Sequence, residues 1–191
     1  IRKVSLELIQ RGHSVTVFVL ASKRHCEIDH GVNLHFIKRM KFHWRFHRTK
    51  ALHLWLDLEE QRINARRVKK AVLARNKANH IDILQVPNFK TPGLYLCHNK
   101  FFPVVCRCSS YQPLLRSANG IQRSLPEAIA DWLETRQVVE ADAAFSPSRF
   151  IARTYERFEA VTPKVIRTPP DLSQVNIDPS IYLRIGEGKK Y

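Results

Sequence analysis

Residues 141–171, ADAAFSPSRFIARTYERFEAVTPKVIRTPPD, constrain this chain more than any other stretch. Asp142 to Phe145 is a short apolar run of the length of a buried strand. Ser146-Pro147-Ser148 then places a hydroxyl and a proline where a helix begins, as N-cap and first-turn residues. Phe150, Ile151, Thr154, Tyr155 and Phe158 recur at spacings of one, three and four, which predicts one apolar helical face. Thr162-Pro163 stops that helix, Lys164-Val165-Ile166 supplies a second short strand, and Thr168-Pro169-Pro170 closes the unit. Strand, helix and strand within about 30 residues make a right-handed βαβ crossover. The carboxyl end of such a strand, feeding a serine-capped helix, aims backbone N–H groups into the crevice where open α/β sheets bind ligands.

The rest of the chain repeats this alternation. Residues 1–11 read as a helix with Ile1, Val4, Leu8 and Ile9 on one side and Gly12 as its stop. Ser14 to Leu20 is nearly continuous in apolar residues, as expected for a parallel strand buried on both faces. Glu27 to His30 reads as a polar turn, and Gly31 to Ile37 as a third strand. Ala65 to Lys77 is a basic helix with Val68, Val72 and Leu73 inward, followed by a strand from His80 to Val86 that ends at Pro87-Asn88. Phe101 to Arg107 is the next strand, discharging into the polar loop Ser109-Ser110-Tyr111-Gln112. Ser124-Leu125-Pro126-Glu127 opens a long helix with the S-x-x-E capping pattern, its buried stripe being Leu125, Ile129, Trp132, Leu133 and Val139. The whole predicts an α/β doubly wound parallel sheet, Rossmann-like.

Charge narrows the partners. The formal net charge is +15, and residues 38–77 hold 13 Lys and Arg against Asp57, Glu59 and Glu60, a local excess of ten. Such a field suits a polyanion or an anionic membrane. Phe42, Trp44 and Phe46 alternate with His43, Arg45 and His47, and Trp55 lies among leucines, a pattern for an element lying in a membrane interface. The residues placed on this surface are Lys41, Trp44, Arg45, Arg48, Arg66, Arg67, Lys69 and Lys70. A helix packed by its Leu and Trp face with solvated charges fits the same residues. No helix-turn-helix, zinc or RNA-recognition pattern accompanies the charge, so nucleic acid is disfavoured. No apolar run reaches the ~18 residues of a membrane span. Cys106 and Cys108 are read as facing opposite sides of a strand and unable to share a zinc, and no metal site is expected. No cysteine spacing suggests a disulfide framework, so a cytoplasmic setting is expected, with peripheral attachment to the inner membrane face.

Four passages together resemble family 4 glycosyltransferases of the GT-B fold. They are Arg11 to Thr16 (a "RGHxVTV" join), Ile81 to Asn88 (a "DIIxxxN" strand end), Val104 to Tyr111, and Asp142 to Asp171 with its "AD…SPSRF" turn. The resemblance implies the N-terminal, acceptor-binding half of such an enzyme, over residues 1–171. It implies that 172–191 link to a C-terminal domain that binds the donor, a nucleoside diphosphate sugar, with no other cofactor. The acceptor would be a sugar or a lipid-linked sugar, in glycan, glycolipid or polysaccharide synthesis. The family's first strand and glycine-rich turn have no counterpart before Ile1, so the start reads as cut and the first strand as missing. Ser109 and Ser110 stand where the family often has a histidine, and no two glutamates lie eight apart as in its donor site.

The candidate cleft residues are Asn88, Arg107, Ser109, Ser110, Ser146 and Ser148, with no catalytic residue assigned. Arg107 could pair with a phosphate or carboxylate through its planar fork, or bond a neighbouring carbonyl. Ser146 and Ser148 serve equally as plain caps. Two functions stay open: the acceptor half of a sugar transferase, and a non-catalytic Rossmann-like module binding a polyanion or anionic membrane through residues 38–77.

Overall fold

The computed structural model describes residues 2–42, 50–98 and 101–167. Its elements run α1 (Arg2–Gln10), β1 (Thr16–Ala21), β2 (His25–Asp29), β3 (Val32–Lys38), α2 (Lys50–Ala78), β4 (Leu84–Pro87), β5 (Val104–Arg107), α3 (Gln112–Ala118), α4 (Leu125–Glu140), β6 (Ala143–Ser146), α5 (Arg149–Glu159) and β7 (Lys164–Val165). One sheet has the order β1-β3-β2 and the other β4-β5-β6-β7. The second sheet is parallel throughout. In the first, β1 and β3 are parallel while β2 is antiparallel to β3. The alternation of helices with parallel strands makes this a mixed α/β, Rossmann-like fold.

One core joins the two sheets. Ile37 of β3, Val68 and Val72 of α2, Val86 of β4, Val104 and Cys106 of β5, Val138 of α4 and Tyr155 of α5 are buried in it together. Phe18 and Leu20 of β1 pack at its margin.

Local signals in the sequence explain the element ends. Gly12 takes φ 86°, and Gly12 N donates to Ile9 O while His13 N donates to Leu8 O, closing α1 with a Schellman motif. Ser124 and Glu127 form the expected capping box of α4, the Glu127 carboxylate accepting from the Ser124 N–H at 2.9 Å. Ser148, rather than Ser146, caps α5, with its Oγ accepting from Ile151 N. The strand on either side of α5 pairs in parallel, as the crossover requires.

The structure departs from the sequence reading in several places. Residues 27–29 belong to a strand, β2, and the turn is His30-Gly31, both with positive φ as a two-residue hairpin needs. β1 is half-buried along its whole length instead of covered on both faces, because β3 is its one strand partner among the described residues. Val4 and Leu8 of α1 are exposed, and Ser5 is the buried residue of that helix. The basic helix extends back to Lys50, giving a rod of about 44 Å. β4 begins at Leu84, since the chain leaves α2 through a bond from Ile81 N to Asn76 Oδ1, and Ile83 points out. Similarly, β5 spans Val104–Arg107 alone. Cys106 and Cys108 lie on the same face, as residues two apart on a strand must, and both are fully buried. Leu125, Trp132 and Val139 of α4 are more than half exposed, as are Phe150 and Phe158 of α5. Residues 43–49 and the interdomain linker expected at 172–191 lie outside the described residues.

Candidate ligand site at the carboxyl edge of the parallel sheet

Pro87, Arg107 and Phe145 stand side by side in register across β4, β5 and β6. The residues that follow them, Asn88, Cys108 and Ser146, therefore form the carboxyl edge of the sheet. Two further bonds hold that row together: Asn88 N donates to Arg107 O at 3.1 Å and Cys108 N to Phe145 O at 2.7 Å. All six candidate cleft residues lie along this edge.

Asn88 is the hub. It is fully buried, and its amide Nδ2 donates to Ser110 O at 2.8 Å and to the Tyr155 hydroxyl at 3.1 Å. Its Oδ1 accepts from Ser109 N at 3.1 Å and from Ser109 Oγ at 3.4 Å. Tyr155 completes the ring by donating to Ser110 O. Both donors and both lone pairs of the side chain are used, so Asn88 shapes the 108–111 loop. The Ser109 side chain remains exposed and Ser110 half-buried. Ser146 is fully buried and its Oγ accepts from Ser148 N at 3.2 Å, which sets the turn into α5. Arg107 is half-buried on the strand face opposite Cys106 and Cys108, with no acidic partner among the described residues. Its planar fork has no side-chain partner among the described residues and is open to a ligand.

The turn after β4 is held from one side by α4. Lys90 and Thr91 both take positive φ, 58° and 48°, a strained conformation for residues with a Cβ. Glu134 accepts from Lys90 N at 3.0 Å. Gln137 accepts from Gly93 N at 2.7 Å and donates to Pro87 O at 2.8 Å. Only glycine fits at 93, since a Cβ there would lie 2.7 Å from Val86 Cγ2. Burial pushes the Glu134 carboxyl up to about 7, more than the Lys90 N–H bond lowers it. Asp131, buried one turn earlier, pairs with Arg116 at 2.9 Å and Arg123 at 3.2 Å. Even so, desolvation holds it above the ordinary carboxylate range.

Tyr111 closes the other flank. Its hydroxyl donates to Glu159, and its ring stacks on Phe158 and meets Tyr155 edge-on. Burial, then the bond to Glu159, raises its pKa.

Asp131, Glu134 and Gln137 escaped the sequence reading because a helix stripe of acids and amides reads as a solvent face. The signal was their spacing of three, which puts all of them on one side of α4. On the basic surface, Arg66, Lys69, Lys70 and Lys41 are exposed. Arg67 is instead committed to Lys38 O at 2.7 Å, tying α2 to the end of β3. Trp44, Arg45 and Arg48 lie outside the described residues. Among the described residues no group of His, Cys, Asp or Glu is placed to hold a metal ion, the four cysteines are unpaired, and no helix is long and apolar enough to cross a membrane.

Open parallel α/β sheets place their ligand crevice at this carboxyl edge, which is lined here with amide, hydroxyl and guanidinium groups. The family model Glycosyltransferase Family 4 matches residues 1–174, and the chain belongs to that family. Its domain is accordingly of glycosyltransferase type. No curated protein matches the sequence.

Proposed function

We propose that the carboxyl edge of β4, β5 and β6 is the acceptor side of a glycosyltransferase that uses a nucleoside diphosphate sugar. The observation that carries this reading is the convergence of Asn88, Arg107, Ser109, Ser110, Ser146 and Ser148 on one sheet edge, in a family 4 domain. Asn88 and Ser146 build the frame; Arg107, Ser109 and the Ser110 hydroxyl meet the acceptor. Arg107 clamps an anionic or hydroxyl-rich group, and the donor is held outside residues 1–171.

Amide-resolved NMR titration with a panel of sugar and sugar-phosphate acceptors tests this. Shifts are expected at 88–93, 107–111 and 146–149, and Arg107→Gln should weaken binding about tenfold, the worth of one charge-assisted bond. Nucleoside diphosphate sugars should leave those residues unmoved. Acceptor-induced shifts elsewhere, or a response of this edge to the donor alone, would contradict the assignment.

The alternative, a module that binds an anionic membrane, draws on the exposure of Arg66, Lys69 and Lys70 along α2. Salt-sensitive sedimentation with anionic vesicles, absent with neutral ones, is its test.

A further inference from the structure

A second site lies away from the sheet edge, in a groove between α2 and α4 of about 440 Å³. Arg62, Arg66 and Lys69 enter it from α2 at spacings of four and three. Ile129, Trp132, Leu133 and Arg136 enter it from α4 at spacings of three, one and three. Each set is one face of its helix. The floor is apolar, made by Leu94 and Leu133 with the ring of Tyr95. His98 and Glu140 close the end nearest the start of β6, with His98 Nε2 and Glu140 Oε2 2.8 Å apart.

The charges in this groove are not balanced. Arg62 pairs with Glu59 at 2.6 Å, and Arg136 with Glu140 through Nε at 2.5 Å. Arg66 and Lys69 have no acidic partner among the described residues, and both are exposed. Two of the cations are already stacked on rings, Arg66 at 5.4 Å from the centre of Tyr95 and Arg136 at 5.3 Å from that of Trp132. A ring beneath each guanidinium restricts it while leaving edge donors open, all of those of Arg66 and the two terminal nitrogens of Arg136, whose Nε is held by Glu140. Less side-chain entropy is therefore left to lose on binding. Trp132 meanwhile keeps 55% of its surface in water, although it stands beside an apolar floor. Unbalanced, pre-oriented cations around an apolar, aromatic floor call for an anion joined to an apolar body.

We propose that this groove binds a phosphate ester, its phosphate between Arg66, Lys69 and Arg136 and its apolar part on Trp132 and the Leu94–Leu133 floor. The site is independent of the acceptor reading, because none of these residues belongs to the carboxyl edge. The phosphate belongs either to a lipid headgroup or to a soluble ester, and both present the same chemistry.

Calorimetric titration of the 191-residue chain with 1-naphthyl phosphate and with inorganic phosphate measures the two halves of the site separately. The naphthyl ester should bind about tenfold tighter, the gain from covering roughly 60 Å² of apolar surface. Trp132→Ala should abolish that preference. Arg66→Gln with Lys69→Gln should weaken both ligands at least about tenfold, whereas Arg75→Gln with Lys77→Gln, which removes the same charge from the same helix outside the groove, should change them less than about twofold. Matched far-ultraviolet dichroism verifies that each variant is folded. Vesicles of phosphatidic acid in phosphatidylcholine separate the two sources. Retention lost in the Arg66/Lys69 pair alone assigns a headgroup, and soluble binding without retention assigns a soluble ester. Equal losses in the two double variants, or no binding of the esters or the vesicles, would overturn the proposal.

Discussion

The two sheets of this protein invert what their sequences suggest. β1, Thr-Val-Phe-Val-Leu-Ala, is the more apolar strand, yet every residue in it is half-exposed. β4 and β5, Leu-Gln-Val-Pro and Val-Val-Cys-Arg, are short and mixed, yet Val104 and Cys106 are completely buried and Val86 nearly so. The difference lies in what covers them. Val138 of α4 and Tyr155 of α5 are buried with β4 and β5 in the common core, and α2 reaches β1 and β3 as well, whereas α1 turns Val4 and Leu8 outward over the three-stranded sheet. Burial belongs to the packed layer and not to the strand. The same contrast holds for polar groups. At the carboxyl edge of β4–β6 an asparagine, a glutamine and a glutamate are sealed in and bonded, while polar groups of the first sheet sit nearer water.

Matched substitutions in the two sheets sharpen this contrast. Asn88→Ala takes the partner from the Ser109 N–H, leaves the Ser110 carbonyl and the Tyr155 hydroxyl with only their bond to each other, and opens a void in the interior; it should cost about 4 kcal/mol in urea unfolding. Asn33→Ala, in β3, gives up one 3.4 Å bond to Val15 O and should cost about 1 kcal/mol or less. Equal costs would erase the distinction.

The next effect in size is a pH dependence. The carboxyl of Glu134, ordinarily near 4.5, is raised to about 7 in the folded state. Between those values the folded protein binds the extra proton, so stability falls as pH rises from about 4.5 to 7 and levels off above that. The full loss is about 3 kcal/mol. Glu134→Gln keeps an oxygen to accept from Lys90 N and should flatten the Glu134 contribution. A wild-type stability that rises across this window, or a variant with the same slope as the wild type, would contradict the burial of Glu134.

Smallest is a pair of valines. Val104→Ala should cost about 2–3 kcal/mol, from two lost methyl groups and the cavity they leave, and Val17→Ala about 1 kcal/mol.

Much of this fold was legible from single residues. Gly12, the Ser124–Glu127 box and the Ser148 cap each act within one turn of chain, so their physics is complete in the local sequence. The parallel pairing of β6 with β7 followed from the length of the α5 crossover. What stayed hidden depended on partners distant in sequence. β2, His-Cys-Glu-Ile-Asp, has only Cys26 and Ile28 alternating with polar residues and buries neither, because it is an edge strand, and pairing with β3 makes it a strand. The start of α2 was obscured by the basic and aromatic residues around it. On α4 the apolar stripe and the buried stripe differ: Asp131, Glu134 and Gln137 go inward because Arg116, Lys90 N, Gly93 N and Pro87 O wait for them. Of the site, the strand-end positions could be read from the sequence. That Asn88 is a frame residue and Arg107 an open donor could not, since both facts depend on neighbours 20 or more residues away.

The central claim is that the carboxyl edge of the four-stranded sheet is preorganised to receive a ligand, its loops as firmly held as its strands. Native-state hydrogen exchange at Lys90, Gly93 and Ser109 tests it most directly. These amides lie in loops but donate to Glu134, Gln137 and Asn88, so their protection should fall within about tenfold of the amides of β5 and exceed that of β1. Exchange at the rate of an unstructured loop, with β5 still protected, would show that the edge is not preorganised and would contradict the account.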